Sequence, residues 1–135
     1  MTLDRSTITI LVVEDEALQR LELVFELQFD GYTTLEAANG EEALIRLDDG
    51  RRIDVVITDI QLGGDLTGWD IAEKFRAARP NMLVIYTSGN FGDHDRGVPG
   101  GVFFNKPYRA ADISKVCRAL RPAVANERRR PATGT

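Results

Sequence analysis

The stretch IDVVITD, Ile53–Asp59, decides how this chain folds. Its centre, Val55, Val56 and Ile57, is β-branched, too short for a helix and apolar enough for a strand covered on both faces. The run ends on Thr58 and Asp59, and the following QLGGDLTG is polar and rich in glycine. A carboxylate therefore stands where a buried strand emerges at its C-terminal end, the edge at which open α/β sheets hold their ligands. Three further apolar runs also end in polar chemistry: ITILVV before Glu14 and Asp15, MLVIY before Thr87 and Ser88, and GVFF before Asn105, Lys106 and Pro107. Asp59 reads as the centre of a phosphate-accepting, metal-assisted site.

Working outward, Ile8–Val13 is the first strand and residues 16–30 the first helix, with Leu18, Leu21 and Phe25 at helical spacing as its expected core face. Gly31 stands where a left-handed C-cap belongs. Thr33–Ala37 is a second strand. Asn39 is a suitable N-cap for a second helix over residues 40–49, with Ala43, Leu44 and Leu47 inward and Gly50 closing it. Thr67 caps a third helix with Asp70 three positions on, in the pattern of a capping box. Trp69, Ala72 and Phe75 share a face of that helix, and Pro80 stops it. Residues 82–86 and 101–104 are the fourth and fifth strands. The last helix runs from about Ala110 to Ala123, with Ile113, Val116, Cys117 and Leu120 as its stripe. The segment from Ser88 to Gly100 holds four Gly and one Pro in thirteen residues. A helix there is about one turn or missing, and only Phe91 and Val98 offer apolar anchors. Strands alternating with helices imply a doubly wound, five-stranded parallel sheet with helices on both faces.

A chain of 135 residues makes one domain. Its apolar fraction of 43% and charged fraction of 28% belong to a globular protein and exclude a disordered one. No apolar run is long enough for a membrane span. MTLDRST lacks the apolar core of a secretion signal, and the single Cys117 cannot form an internal disulfide, so the cytoplasm is the expected location. The net charge of −4 is uneven: residues 118–135 carry five Arg and one Glu, which leaves the first 117 residues at −8. Such an acidic body argues against nucleic acid as a partner, since phosphate neutralisation needs a basic face. Residues 1–7 read as a flexible arm, residues 8–121 as the folded domain, and residues 122–135, with Arg128–Arg130, as a disordered, solvated basic tail.

Adjacent acids Glu14 and Asp15 beside Asp59 would repel one another without a cation among them, and hard oxygen ligands suit Mg²⁺. Asp15 and Glu16 equally suit a helix N-terminus through its dipole. Asp59, Thr87 and Lys106 each have an ordinary reading alone. Together they fall at the C-terminal ends of parallel strands, and the set makes chemical sense. A carboxylate attacks phosphorus, a metal and a lysine neutralise its oxygens, and a hydroxyl binds the product.

VVEDE, VVITDI, YTSG and FFNKPY, at this spacing, resemble the receiver domains of two-component response regulators over about residues 8–121. The resemblance implies a flavodoxin-like fold and a phosphorelay role: a phosphoryl group passes from a histidine kinase or histidine phosphotransfer protein to Asp59 and changes partner affinity. It implies that Glu14 and Asp15 hold Mg²⁺ with Asp59, that Gln61 lends its backbone carbonyl to the metal, and that Lys106 binds the phosphate. Thr87 becomes the switch hydroxyl and Phe103 the switch aromatic. Such a domain is a signalling module and not an enzyme in the ordinary sense, although it can catalyse its own phosphorylation and dephosphorylation.

Four features depart from the family pattern: Glu14 where Asp is commoner, Phe103 where Tyr is frequent, a longer loop after Asp59, and short Thr87–Lys106 spacing. A pseudo-receiver that binds proteins without using phosphate is the alternative, and the full set of acids, hydroxyl and lysine argues against it. An aspartyl phosphohydrolase would need Asp at position 61, where Gln61 stands. An FMN binder would need a Ser/Thr/Gly phosphate loop after the first strand, where EDEALQ stands instead.

Overall fold

The computed structural model describes residues 8–89 and 96–119. The arm at residues 1–7, the tail at residues 122–135, Phe91 and Leu120 lie outside the described residues. Elements follow the order β1 (Thr9–Val13), α1 (Ala17–Phe29), β2 (Thr33–Ala37), α2 (Gly40–Asp48), β3 (Val55–Asp59), α3 (Gly68–Ala78), β4 (Leu83–Ser88), β5 (Val102–Asn105) and α4 (Ala110–Ala119). The strands form one all-parallel sheet in the order β2-β1-β3-β4-β5. All five residues of β3 are buried, as its continuous apolar character requires for a central strand. Among the described residues no helix lies between β4 and β5.

Local signals set the helix ends. The Asn39 side chain accepts the amide of Glu42 at 2.8 Å. Thr67 and Asp70 form a reciprocal capping box, in which Thr67 N–H donates to Asp70 Oδ2 at 2.9 Å and Asp70 N–H to Thr67 Oγ1 at 3.3 Å. Gly31 adopts φ 95°, the left-handed conformation that lets the chain leave α1 and enter β2.

Side chains alternate across the sheet and divide the core in two. On one face Leu11, Val13, Val56, Val84 and Tyr86 pack against α2 and α3. On the other Ile10, Val12, Val55, Ile57 and Ile85 pack against α1 and α4.

The core face of α1 differs from the expected one. Leu18, Leu21 and Phe25 are exposed, and Leu23, Val24 and Leu27 are buried. At about 100° per residue the two apolar stripes lie on nearly opposite sides of the helix. Helical spacing alone selects neither; the stripe that is buried is the one packed against Ile10, Val12 and Ile57 of the sheet and Ile113 of α4. The other expected faces hold. Trp69, Ala72 and Phe75 are buried on α3, and Ala43 is buried on α2 with Leu44 and Leu47 packed against the core. On α4, Ile113 and Cys117 are buried. The Cys117 thiol is pushed up to about 12 by burial, so it is an inert core group.

Candidate functional site

The alternation that builds the α1/α4 face also builds the site. Glu14 extends the parity of Ile10 and Val12, Asp59 that of Val55 and Ile57, and Thr87 that of Ile85. Asp59 and Thr87 are direct partners across the β3–β4 pair. Lys106 follows β5 and is fixed there by its amide, which donates to Ser88 O at 2.7 Å. Four strand ends therefore converge on one spot at the C-terminal edge of the sheet.

Lys106 Nζ sits between two carboxylates, 3.0 Å from Glu14 Oε1 and 3.1 Å from Asp59 Oδ2. Both carboxylates are almost fully buried. Burial raises the Asp59 carboxyl above its ordinary value, although the charge and hydrogen bond of Lys106 oppose that rise. Glu14 is also raised, chiefly by burial, against the hydrogen bonds from the Glu16 amide and Lys106. Burial disfavours the Lys106 cation, but Glu14 and Asp59 outweigh it and raise the lysine. The ammonium is therefore held charged between two acids.

Oxygens of Glu14, Asp15 and Asp59 come within 4.8 Å of one another. Asp15 is exposed, while the other two are buried. Glu14 is more heavily tied than its neighbours. Its Oε2 accepts the Glu16 amide at 3.0 Å, its backbone carbonyl accepts Arg20 Nη1 at 2.7 Å, and its own amide donates to Ala37 O at 3.0 Å. The Gln61 backbone is near enough to the Asp59 carboxyl to oppose its rise, which sets residue 61 beside the cluster. The structure thus brings together Glu14, Asp15, Asp59, Gln61, Thr87 and Lys106. Phe103 lies on the opposite face of the sheet, packed against the α3 core.

Two supports were not legible in the sequence. Gly68 opens α3 against the loop after Asp59: its amide donates to Ile60 O at 2.8 Å, and a Cβ there would lie 2.2 Å from Asp59 O. Only glycine permits that approach of a helix end to the strand end. At the other end of the sheet, the Asp54 carboxylate accepts the Thr9 amide at 2.9 Å and Arg52 Nε at 3.2 Å, tying β3 to β1. No spacing rule singles out either residue. Asn105 Oδ1 is buried with no hydrogen-bond partner among the described residues.

Beside the site an open groove of about 1150 Å³ runs along the outer stripe of α1. Leu18, Leu21 and Phe25 line one wall, and Lys106, Pro107 and Tyr108 line the other. The Tyr108 hydroxyl is pushed up to about 12, first by burial and then by the nearby Glu14 carboxylate.

A five-stranded parallel sheet in this order, with an acidic cluster and a lysine at its C-terminal edge, defines a receiver-type phosphosignalling domain. The family model described as the response regulator receiver domain matches residues 10–99, and the chain belongs to that family. Among its relatives, a sensor kinase, CckA, of Brucella abortus is 31% identical over 117 residues, covering 83% of this chain and 12% of that protein. The chain thus spans a small part of that kinase. A response regulator receiver protein from Sinorhizobium medicae has a TM-score of 0.81 at 31% identity, covering 86% of this chain and 95% of that one. A response regulator, TrrA, from Thermotoga maritima, solved in complex with Mg²⁺ and BeF, has a TM-score of 0.73 at 28% identity, covering 84% and 98%. Receiver domains are signalling domains that bind Mg²⁺ at an acidic pocket and take phosphoryl groups from histidine kinases or phosphotransfer proteins. Among the described residues no helix is long and apolar enough to cross a membrane.

Proposed function

We propose that this protein is a phosphorelay receiver in which Asp59 accepts the phosphoryl group of a phosphohistidine and the resulting acyl phosphate changes affinity for a partner. An Asp59 carboxylate oxygen bonds to phosphorus as the bond from phosphorus to the donor's imidazole nitrogen breaks, and that nitrogen keeps the electron pair. The observation that carries this reading is the Lys106 ammonium between the Glu14 and Asp59 carboxylates at 3.0 and 3.1 Å. The lysine already stands where a phosphoryl oxygen on Asp59 would need a positive charge.

Each residue then has one task. Asp59 is the nucleophile. Lys106 neutralises phosphoryl oxygens as a point charge, and Glu14 positions Lys106. The buried Thr87 hydroxyl, paired in register with Asp59, donates to the phosphoryl group once it is present. The clustered carboxylates of Glu14, Asp15 and Asp59 suit a hard divalent cation such as Mg²⁺, and we assign the Gln61 backbone carbonyl as a further ligand. When bound, the cation offsets the charge that builds up on the attacking and phosphoryl oxygens. The Mg²⁺ complex of the Thermotoga maritima regulator supports that assignment.

The donor must bring an imidazole to Asp59, so it covers the mouth of the site during transfer. The groove between the outer stripe of α1 and residues 106–111 adjoins that mouth and offers apolar footing to a histidine kinase or histidine phosphotransfer protein. Histidine kinases place their phosphohistidine in the cytoplasm, and we assign the protein to that compartment. The test is to incubate the chain with Mg²⁺ and acetyl phosphate. A one-phosphate mass increase in wild type, absent in Asp59→Asn, is the expected result. Equal labelling of both proteins would overturn Asp59 as acceptor.

A further inference from the structure

The ring that the resemblance makes the switch aromatic is packed inward. Phe103 stacks on Tyr86 with centroids 4.7 Å apart and planes 19° apart, and Trp69 of α3 closes the cluster at 4.9 Å from Tyr86 and 6.0 Å from Phe103. Gly97 lies flat against these rings: a Cβ there would come within 2.7 Å of Phe103 Cζ. Gly101 does the same to Tyr86, at 2.9 Å from Cε2. Two glycines thus let the chain entering β5 press backbone against aromatic faces.

Residues 96–101 are anchored well beyond the apolar contact expected at Val98. The Val98 amide donates to Tyr86 Oη at 3.0 Å. Arg96 lies over the Trp69 ring, 5.7 Å from its centroid, and reaches Asp70 at 3.8 Å and Glu73 at 3.4 Å. Arg76, also on α3, donates to Pro99 O at 2.6 Å. The segment is a strap tied on one side to β4 through Tyr86 and on the other to α3 through Arg96 and Pro99. Tyr86 immediately precedes Thr87 on β4, and the two side chains leave opposite faces of the sheet. Any displacement of the Thr87 backbone is therefore passed directly to the ring that carries the strap.

We propose that phosphorylation is reported through Tyr86 to the strap at residues 96–101 and to α3, with Phe103 staying in its stack. The output face is then α3 with the strap, and Arg96 above Trp69 is its moving part. This inference rests on Asp59 acting as phosphoacceptor.

Trp69 is the only tryptophan in the chain, so its fluorescence reads the strap without labelling. The full chain is treated with Mg²⁺ and acetyl phosphate, and adduct mass and Trp69 emission are recorded together. Wild type should form the adduct and change emission. Tyr86→Phe keeps the stacked ring and removes only the hydroxyl held by Val98. It should form the adduct to the wild-type extent while its emission change falls to half or less. Arg96→Gln, on the exposed side of the strap, should behave alike. A full emission change in both variants overturns the coupling, as does an adduct in wild type with no emission change. Failure of wild type to form any adduct removes the phosphoacceptor reading and the coupling with it, and the mass channel separates that case from the others.

Discussion

Helices α1 and α3 cover opposite faces of one sheet and treat their apolar residues in opposite ways. On α3 the large apolar side chains, Trp69, Ile71 and Phe75, are all buried. On α1 a second stripe stays in solvent, with Leu18 80%, Leu21 59%, Phe25 72% and Phe29 81% exposed. Among the described residues only Ile45 joins them as an exposed large hydrophobe. Helix α3 spends its apolar surface on the domain's own core and turns charge outward. Helix α1 carries enough for two interfaces, and the sheet uses only Leu23, Val24 and Leu27. Under the proposed function, this exposed stripe beside the candidate site is the footing for a partner.

The largest expected effect tests the buried half of this contrast. Phe75 is fully buried, so Phe75→Ala should lower unfolding free energy by about 3–5 kcal/mol through lost burial and a residual cavity. Urea denaturation measures it. A loss under about 1 kcal/mol would mean that α3 is not the core-bearing helix that its packing indicates.

A smaller effect belongs to the site between the two helices. Burial raises Asp59 and Glu14 above their ordinary values of 3.8 and 4.5. A carboxyl raised in the folded state contributes stability fully below its unfolded value and loses it as pH climbs through the folded value. At neutral pH, without divalent cation, the ionised Asp59 is therefore a strain on the fold, and Asp59→Asn should raise the melting temperature by several degrees. About 1 kcal/mol moves the midpoint by roughly 4 °C in a domain of this size. The advantage should shrink as pH falls toward the unfolded values. A variant that melts lower than wild type at neutral pH in EDTA would show that the Lys106 contact outweighs burial.

Most of the fold, and the strand ends at which the candidate site gathers, were legible because strong local rules acted alone. The β-branched run of β3, the Asn39 and Thr67 caps, Gly31, and the polar residues ending four strands all follow from chemistry confined to a few neighbouring positions. What escaped was decided between distant elements. Two stripes of α1 satisfied the same helical period, and only the space left by α4 and the sheet selects between them. Gly68 is demanded by the carbonyl of Asp59, and Gly97 by the ring of Phe103, contacts that no window of sequence contains. The segment before β5 looked weakly anchored because its ties, Arg96 to α3 and Val98 to Tyr86, are polar and long-range.

The smallest effect on stability is the most informative about function. Phe25→Ala and Leu18→Ala remove side chains that already face solvent, so each should change unfolding free energy by no more than about 0.5 kcal/mol. That near-silence is itself the contrast with Phe75. If the outer stripe of α1 is footing for the donor, the same truncations remove contact area used only in the complex. Residues at the centre of such a contact often contribute more than about 1 kcal/mol each, and about 1.4 kcal/mol is a tenfold change in affinity. Transfer from a histidine kinase that phosphorylates the wild type should therefore slow by more than about tenfold in the double variant at limiting kinase. Acetyl phosphate needs no such footing, and its labelling of Asp59 should proceed at the wild-type rate. Equal slowing with both donors would point to damage at Lys106 across the groove, and no slowing with either would leave the α1 stripe to some partner other than the donor.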